Sequence, residues 1–180
     1  VKSIFSDLNI QKHTVDLIKA YYIKAMKHLD SINSDKKEPL FNFAEKIKEG
    51  KLLTFSDNYI LVETSFLEAP PNFKELIFQL QVAGYKVILA HPERYPFMSI
   101  ENYEDLQSRS VFMQLNLLSL IGHYGTDVQN KANKMIEQEF ISFVGTDCHH
   151  MGHATIYEKC QTTRAWHQLV ESGKLLNHTL

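Results

Sequence analysis

Apolar residues recur at three- and four-residue steps from Thr14 to Ile32, at Val15, Ile18, Tyr22, Met26, Leu29 and Ile32. This spacing predicts an amphipathic helix. Asn33 to Pro39 is polar and ends in proline, which predicts a loop. Phe41 to Glu49 predicts a short helix that Gly50 ends. The pattern then changes to short apolar runs between helices. Lys51 to Phe55 and Tyr59 to Val62 predict strands on either side of a Ser56-Asp57-Asn58 turn. Asn72 to Ala83 predicts a helix ending at Gly84, and Lys86 to Ala90 a buried strand. Val111 to Leu117 predicts another strand, Ser119 to Glu139 a loop and then a helix, and Phe140 to Val144 a fourth buried strand. Thr155 to Ser172 predicts a last helix, with Gly173 past its end.

Short apolar strands separated by helices imply a parallel sheet covered on both faces. Chemistry in such folds collects at the carboxyl ends of the strands. Glu63 follows Ile60-Leu61-Val62, His91 follows Val87-Ile88-Leu89-Ala90, and Asp147 and His149 follow Ile141-Ser142-Phe143-Val144. Three predicted strands thus deliver ligand-type side chains from one end.

Composition adds bounds. A chain of 180 residues with 44% hydrophobic content suits one compact domain, expected to span residues 1–180. A formal charge of −2 argues for neither nucleic acid nor a membrane surface as partner. Two cysteines, Cys148 and Cys160, make no disulfide framework, so a reduced, cytoplasmic setting is expected. No apolar run is long enough to span a bilayer, and no signal peptide opens the chain. Only three of the nineteen basic residues are arginines, so an arginine inside a polar cluster stands out.

Two clusters carry candidate chemistry. In Asp147-Cys148-His149-His150, with His153 close behind, carboxylate oxygen and imidazole nitrogen suit hard and borderline divalent metals. A polar surface loop that happens to hold histidines is the competing reading. Cys148 is expected to face the core, as small buried cysteines do. In His91-Pro92-Glu93-Arg94, a strand-end histidine can ligate metal and Arg94 can fork onto phosphate oxygens. Glu93 could orient His91 or Arg94, or simply form an ion pair with the arginine. Gln114 and Asn116 are polar positions inside a predicted strand, either lining a pocket or satisfied as core amides. Glu63 sits where a carboxylate needs a partner unless the strand has emerged into solvent. His13, His28, His123, His167 and His178 are expected to be structural or solvent-facing.

Together, Tyr59-Ile60-Leu61-Val62-Glu63, Ile88-Leu89-Ala90-His91-Pro92-Glu93-Arg94-Tyr95, Gln114-Leu115-Asn116-Leu117-Leu118-Ser119 and Gly145-Thr146-Asp147-Cys148-His149-His150 resemble successive motifs of one family. These are the bacterial capsular and exopolysaccharide-type protein-tyrosine phosphatases of the polymerase and histidinol phosphatase (PHP) superfamily. The resemblance implies an α/β fold, an incomplete or distorted (β/α) barrel of PHP type with a mostly parallel sheet. It implies divalent metal ions at the barrel mouth, manganese foremost, with iron, magnesium or zinc as alternatives. It implies Glu63, His91, Asp147 and His149 as metal ligands and Arg94 as the catalytic phosphate holder. A metal-bound hydroxide would attack phosphotyrosine on a partner protein, a tyrosine kinase of polysaccharide export.

The sequence departs from that family at its start. The family's opening His-x-His strand and Asp-Asp-Gly turn do not occur here, Ser3 stands where a histidine ligand is expected, and a glutamate ligand falls near Asp35 or Lys36. The chain therefore reads as a family member lacking its first strands. A degenerate homologue that binds or regulates without catalysis is the alternative, and an amidohydrolase-type metal hydrolase a more distant one.

Overall fold

A computed structural model describes residues 52–70 and 72–180, together with Ala20, Ile23, Lys24 and Lys27, which are helical. The helices expected before Gly50, and the positions Ser3, His13, His28, Asp35 and Lys36, lie outside the remaining described residues. Thr54–Leu180 forms one compact unit and Val1–Leu53 another.

Four strands make the sheet of the larger unit: β1 (Tyr59–Val62), β2 (Lys86–Ala90), β3 (Phe112–Asn116) and β4 (Phe143–Gly145). They lie side by side in chain order and every pair is parallel. Helix α1 (Phe73–Val82) connects β1 to β2, α2 (Ile100–Ser108) connects β2 to β3, and α3 (Thr126–Glu137) connects β3 to β4. Consecutive order is how a (β/α) barrel is wound, whereas a doubly wound sheet reverses direction partway. Among the described residues β1 and β4 are free edges, so the described wall is an open arc, in keeping with the expected incomplete or distorted (β/α) barrel.

The sheet is apolar because helices cover it. Val87, Ile88 and Leu89 of β2 and Met113 and Leu115 of β3 are fully buried. Their side chains alternate between the two faces, so successive residues enter different layers of packing. On one face Tyr59, Phe112 and Phe143 meet edge to face, with centroids 5.4, 5.5 and 5.8 Å apart. That cluster draws one aromatic ring from each of three strands and fixes their register.

The predicted elements differ from the structure in four places. Phe55 makes only an isolated antiparallel bridge to Tyr59, and residues 52–54 form no strand. Asp57 and Asn58 both take positive φ, as in a tight hairpin turn, but pairing stops at that single bridge. The fourth strand starts at Phe143, three residues later than expected. Phe140 is buried, but its N–H closes onto Met135 O at 3.0 Å, ending α3 instead of joining the ladder. A short helix α4 (Met151–Ala154) precedes the helix expected over Thr155–Ser172, which is itself broken into α5 (Tyr157–Gln161) and α6 (Arg164–Glu171). Thr163 is extended and its side chain accepts the Trp166 N–H, so it caps a new helix and interrupts the expected one. Helix α2 has no counterpart in the predicted elements. Ser99 opens it in a capping box with Asn102. Among the described residues no helix is long and apolar enough to cross a membrane.

Candidate functional site

The carboxyl ends of β2, β3 and β4 converge on one polar network. The chain leaves β2 at His91, whose φ of 32° and ψ of 54° lie in the left-handed region. Left-handed geometry is disfavoured for a non-glycine residue, and the following Pro92 restricts it further. It persists because the turn is pinned on all sides. The His91 N–H donates to Gln114 O at 2.7 Å, and the Tyr103 hydroxyl donates to Pro92 O at 3.0 Å. The Tyr95 hydroxyl accepts the Thr64 N–H at 3.1 Å, and Lys131 Nζ donates to Tyr95 O at 2.7 Å. Asp147, just past β4, is also left-handed, with φ 47°. Strain at two neighbouring loops marks a place where side-chain aim outweighs backbone comfort.

Glu93 does not form the ion pair with Arg94 that its spacing allowed. It is fully buried, and its Oε1 accepts the Asn116 N–H at 3.1 Å and the Ser119 hydroxyl at 2.7 Å. Its Oε2 is buried without a partner. Burial pushes its carboxyl up to about 7, against the opposing pull of the Ser119 and backbone hydrogen bonds. The carboxyl thereby ties the β2 turn to the end of β3.

Arg94 turns the other way and donates from Nη1 to Asp147 Oδ2 at 2.9 Å. The guanidinium carbon lies 4.5 Å from the ring centroid of Phe66 and 4.2 Å from that of Tyr124. Two aromatic rings therefore lie within cation–π distance of this one guanidinium. Asn116 closes the circuit: its Nδ2 donates to Tyr124 Oη at 3.0 Å and to Asp147 Oδ2 at 3.3 Å, while its Oδ1 accepts the Leu118 N–H at 2.9 Å. It is thus a satisfied buried amide that also wires the site. Gln114 takes a different part, packing its amide over Gly145, where a Cβ would meet it at 2.7 Å.

Phe66, Arg94 and Tyr124 open onto a cleft of about 790 Å³ completed by Pro96 and by Gly125–Val128. Gly125 has φ 100°, a conformation suited to glycine, and no side chain caps α3, so its first-turn N–H groups begin at the cleft wall. An arginine fork and an open helix start both favour an anion there.

The sequence-predicted ligands fall into two pairs. His91 is buried, and its Nε2 lies 3.3 Å from Glu63 Oε1. Burial, and then the charge of Arg94, hold the His91 imidazole below its usual range, so it is neutral and able to donate a lone pair. Glu63 itself is exposed, so its strand has emerged into solvent, yet it finds this one partner. On the other side His149 turns Nδ1 to Asp147 O at 2.8 Å and lies 3.4 Å from Asp147 Oδ1. Cys148 is exposed, contrary to expectation, because the left-handed turn at Asp147 carries the next residues outward; the buried cysteine is Cys160. Among the described residues no three His, Cys, Asp or Glu side chains converge as a metal-binding group. Glu63 and His91 fit a divalent ion by donor type, and His91 keeps a buried Nδ1 without a partner. They are two donors, and the described residues do not make a complete centre.

A further histidine group, His123, His150 and His153, lies outside the predicted ligands. Its ring centroids are 3.9 Å (His150 to His153) and 5.2 Å (His123 to His153) apart. The predicted roles also missed Phe66 and Tyr124, since only folding brings both to Arg94.

The fold and site together define an α/β protein with a parallel sheet that gathers an arginine, a strand-end histidine and carboxylates at its carboxyl edge. Residues 38–165 match the family described as capsular polysaccharide synthesis, CpsB/CapC, and the chain belongs to that family. It is 31% identical over 94 residues to the "Putative tyrosine-protein phosphatase CapC" of Staphylococcus aureus, covering 51% of this chain and 36% of that protein. It is 30% identical over 111 residues to the tyrosine-protein phosphatase YwqE of Bacillus subtilis (strain 168), covering 59% of this chain and 43% of that protein. A solved structure from work on YwqE of Bacillus subtilis and CpsB of Streptococcus pneumoniae, described as unique metal-dependent tyrosine phosphatases, matches with a TM-score of 0.56. The identity there is 25%, over 75% of this chain and 59% of that one. The chain thus spans less than half the length of the two curated relatives.

Proposed function

We propose that this chain binds and hydrolyses phosphomonoesters of tyrosine, acting in the cytoplasm on a phosphotyrosine-bearing protein, a tyrosine kinase of polysaccharide export. The observation that carries the reading is Arg94, fixed by Asp147 at 2.9 Å and by the Phe66 and Tyr124 rings at the wall of an open cleft. With two rings packed against it, the guanidinium would meet an incoming anion along its N–H edge, in the plane that matches two phosphate oxygens. Asp147 and Asn116 keep that edge from rotating away, and the first turn of α3 adds donors beside it. In this reading Glu63 and His91 hold a divalent ion, manganese foremost, and Asp147 and His149 stand as its further ligands. Support for a metal comes from the structural relative's description and from the donor types of these four residues.

A second reading has its own observation. Because no three donors converge among the described residues, the chain would hold a phosphorylated partner without cutting it. One experiment separates the two. A phosphotyrosine peptide is incubated with the chain and added manganese, and released phosphate and peptide binding are both measured. Turnover that Arg94→Ala abolishes supports the hydrolase. Binding that Arg94→Ala abolishes, with no turnover, supports the binding protein. Neither binding nor turnover sinks both.

A further inference from the structure

We propose that Phe66 and Tyr124 set this site's preference for aryl over alkyl phosphomonoesters. The inference rests on Arg94 as the phosphate holder and adds which side chains read the group that the phosphate is attached to.

Phe66 is not a loose surface ring. It stacks on His91 with centroids 5.5 Å apart and 21° between planes, and leans on Tyr95 at 5.7 Å. Its remaining 38% exposure faces outward from that stack, and it lines the cleft. Tyr124 is fixed from the opposite side, because Asn116 Nδ2 donates to its hydroxyl at 3.0 Å. Two rings from loops that follow different strands therefore pack against one cation. The exposed part of an apolar ring beside a phosphate-binding edge has no role in holding inorganic phosphate, which needs only donors.

The rest of the lining points the same way. Pro96 and Val128 add apolar wall beside Phe66, while Arg94 and Asp127 are the charged residues of the lining. A phosphate seated on the arginine edge projects its ester oxygen along these rings. An aryl group attached there covers Phe66, Tyr124, Pro96 and Val128 and removes that surface from water. Aromatic pairs gain further from offset or edge-to-face contact. An alkyl ester of phosphoserine size reaches the arginine equally well but leaves the walls wet. Covering even part of one ring is enough for about a tenfold preference.

The test is a comparison of binding ratios in the full chain. Phenyl phosphate, ethyl phosphate and inorganic phosphate are titrated calorimetrically into the wild type, Phe66→Leu, Tyr124→Leu, Tyr124→Phe and Arg94→Ala. The wild type is expected to bind phenyl phosphate about tenfold more tightly than ethyl phosphate. Phe66→Leu and Tyr124→Leu are each expected to cut that ratio at least about threefold. Tyr124→Phe keeps the ring and is expected to keep the ratio, although it loses the Asn116 hydrogen bond. A wild-type ratio near one, or a ratio that both leucine variants leave intact, overturns the proposal while phosphate binding at Arg94 still stands. Failure of the wild type to bind any of the three ligands overturns the phosphate site itself, and this proposal with it.

Discussion

Replacing Glu93 by glutamine is expected to change how stability depends on pH, because burial raises this carboxyl. The carboxyl is fully buried and burial raises it from 4.5 to about 7. Below the unfolded value of 4.5 both the folded and unfolded chains carry the proton, and Glu93 is neutral in each. As pH rises from there, the unfolded chain releases its proton while the folded chain holds it, so the stability present at low pH is lost progressively until pH passes about 7. At 1.36 kcal/mol per pH unit the loss comes to about 3 kcal/mol. Glu93→Gln cannot titrate. Its amide oxygen can accept from Asn116 and Ser119 as Oε1 does, and its amide nitrogen takes the place of Oε2, which has no partner. That buried nitrogen costs about 1–3 kcal/mol at every pH. The assay is urea unfolding of both proteins at intervals from pH 4 to 8, followed by the single tryptophan, Trp166. Other titrating groups are shared and cancel in the difference. The variant's stability relative to wild type should rise by about 3 kcal/mol across the range, most steeply between pH 5 and 7. A difference that stays flat with pH would refute the reasoning, since Glu93 would then not be held protonated by burial.

Three other substitutions probe the same architecture. Asn116→Ala leaves the Leu118 N–H without its side-chain acceptor and releases Tyr124 and Asp147, so it should destabilise by about 1–3 kcal/mol and also weaken phosphate binding, read by denaturation and calorimetry. Arg94→Lys keeps the charge but loses the planar fork and its stacking between two rings, and phosphate affinity should fall at least about tenfold in a binding titration. Phe143→Ala removes one member of the three-ring cluster that spans the sheet and should cost about 3–5 kcal/mol in urea unfolding.

Much of the sheet was legible because parallel strands buried on both faces are written as short apolar runs. Tyr59–Val62 and Lys86–Ala90 are such runs, and their predicted bounds match the structure. The same rule misplaced β4, since Phe140 and Ile141 are apolar and buried yet lie before the strand, the Phe140 N–H closing the turn after α3. Apolarity reports burial and is silent on which backbone groups pair. Helix α2 was missed for the converse reason: only Tyr103 and Leu106 are buried in it, too few to set a period, and its one sequence signal is the Ser99–Asn102 box. At the site, His91, Arg94 and Asp147 were legible from their place after strands. The partners chosen by Arg94 were not. A glutamate adjacent in sequence suggested an ion pair, but successive residues of a turn point in different directions, and Glu93 went inward while Arg94 crossed to Asp147. Asn116 carried a signal in being polar within a buried strand, whereas Phe66 looked like any loop aromatic.

The account turns on Arg94 being the anion holder of the cleft, and a heavy-atom phosphate mimic tests that directly. Crystals of the chain soaked in tungstate should show a tungsten anomalous peak against the guanidinium edge of Arg94, between the Phe66 and Tyr124 rings and beside the first turn of α3. The peak should vanish in Arg94→Ala. Tungstate bound elsewhere, or at this cleft in the alanine variant as strongly as in the wild type, would contradict the assignment.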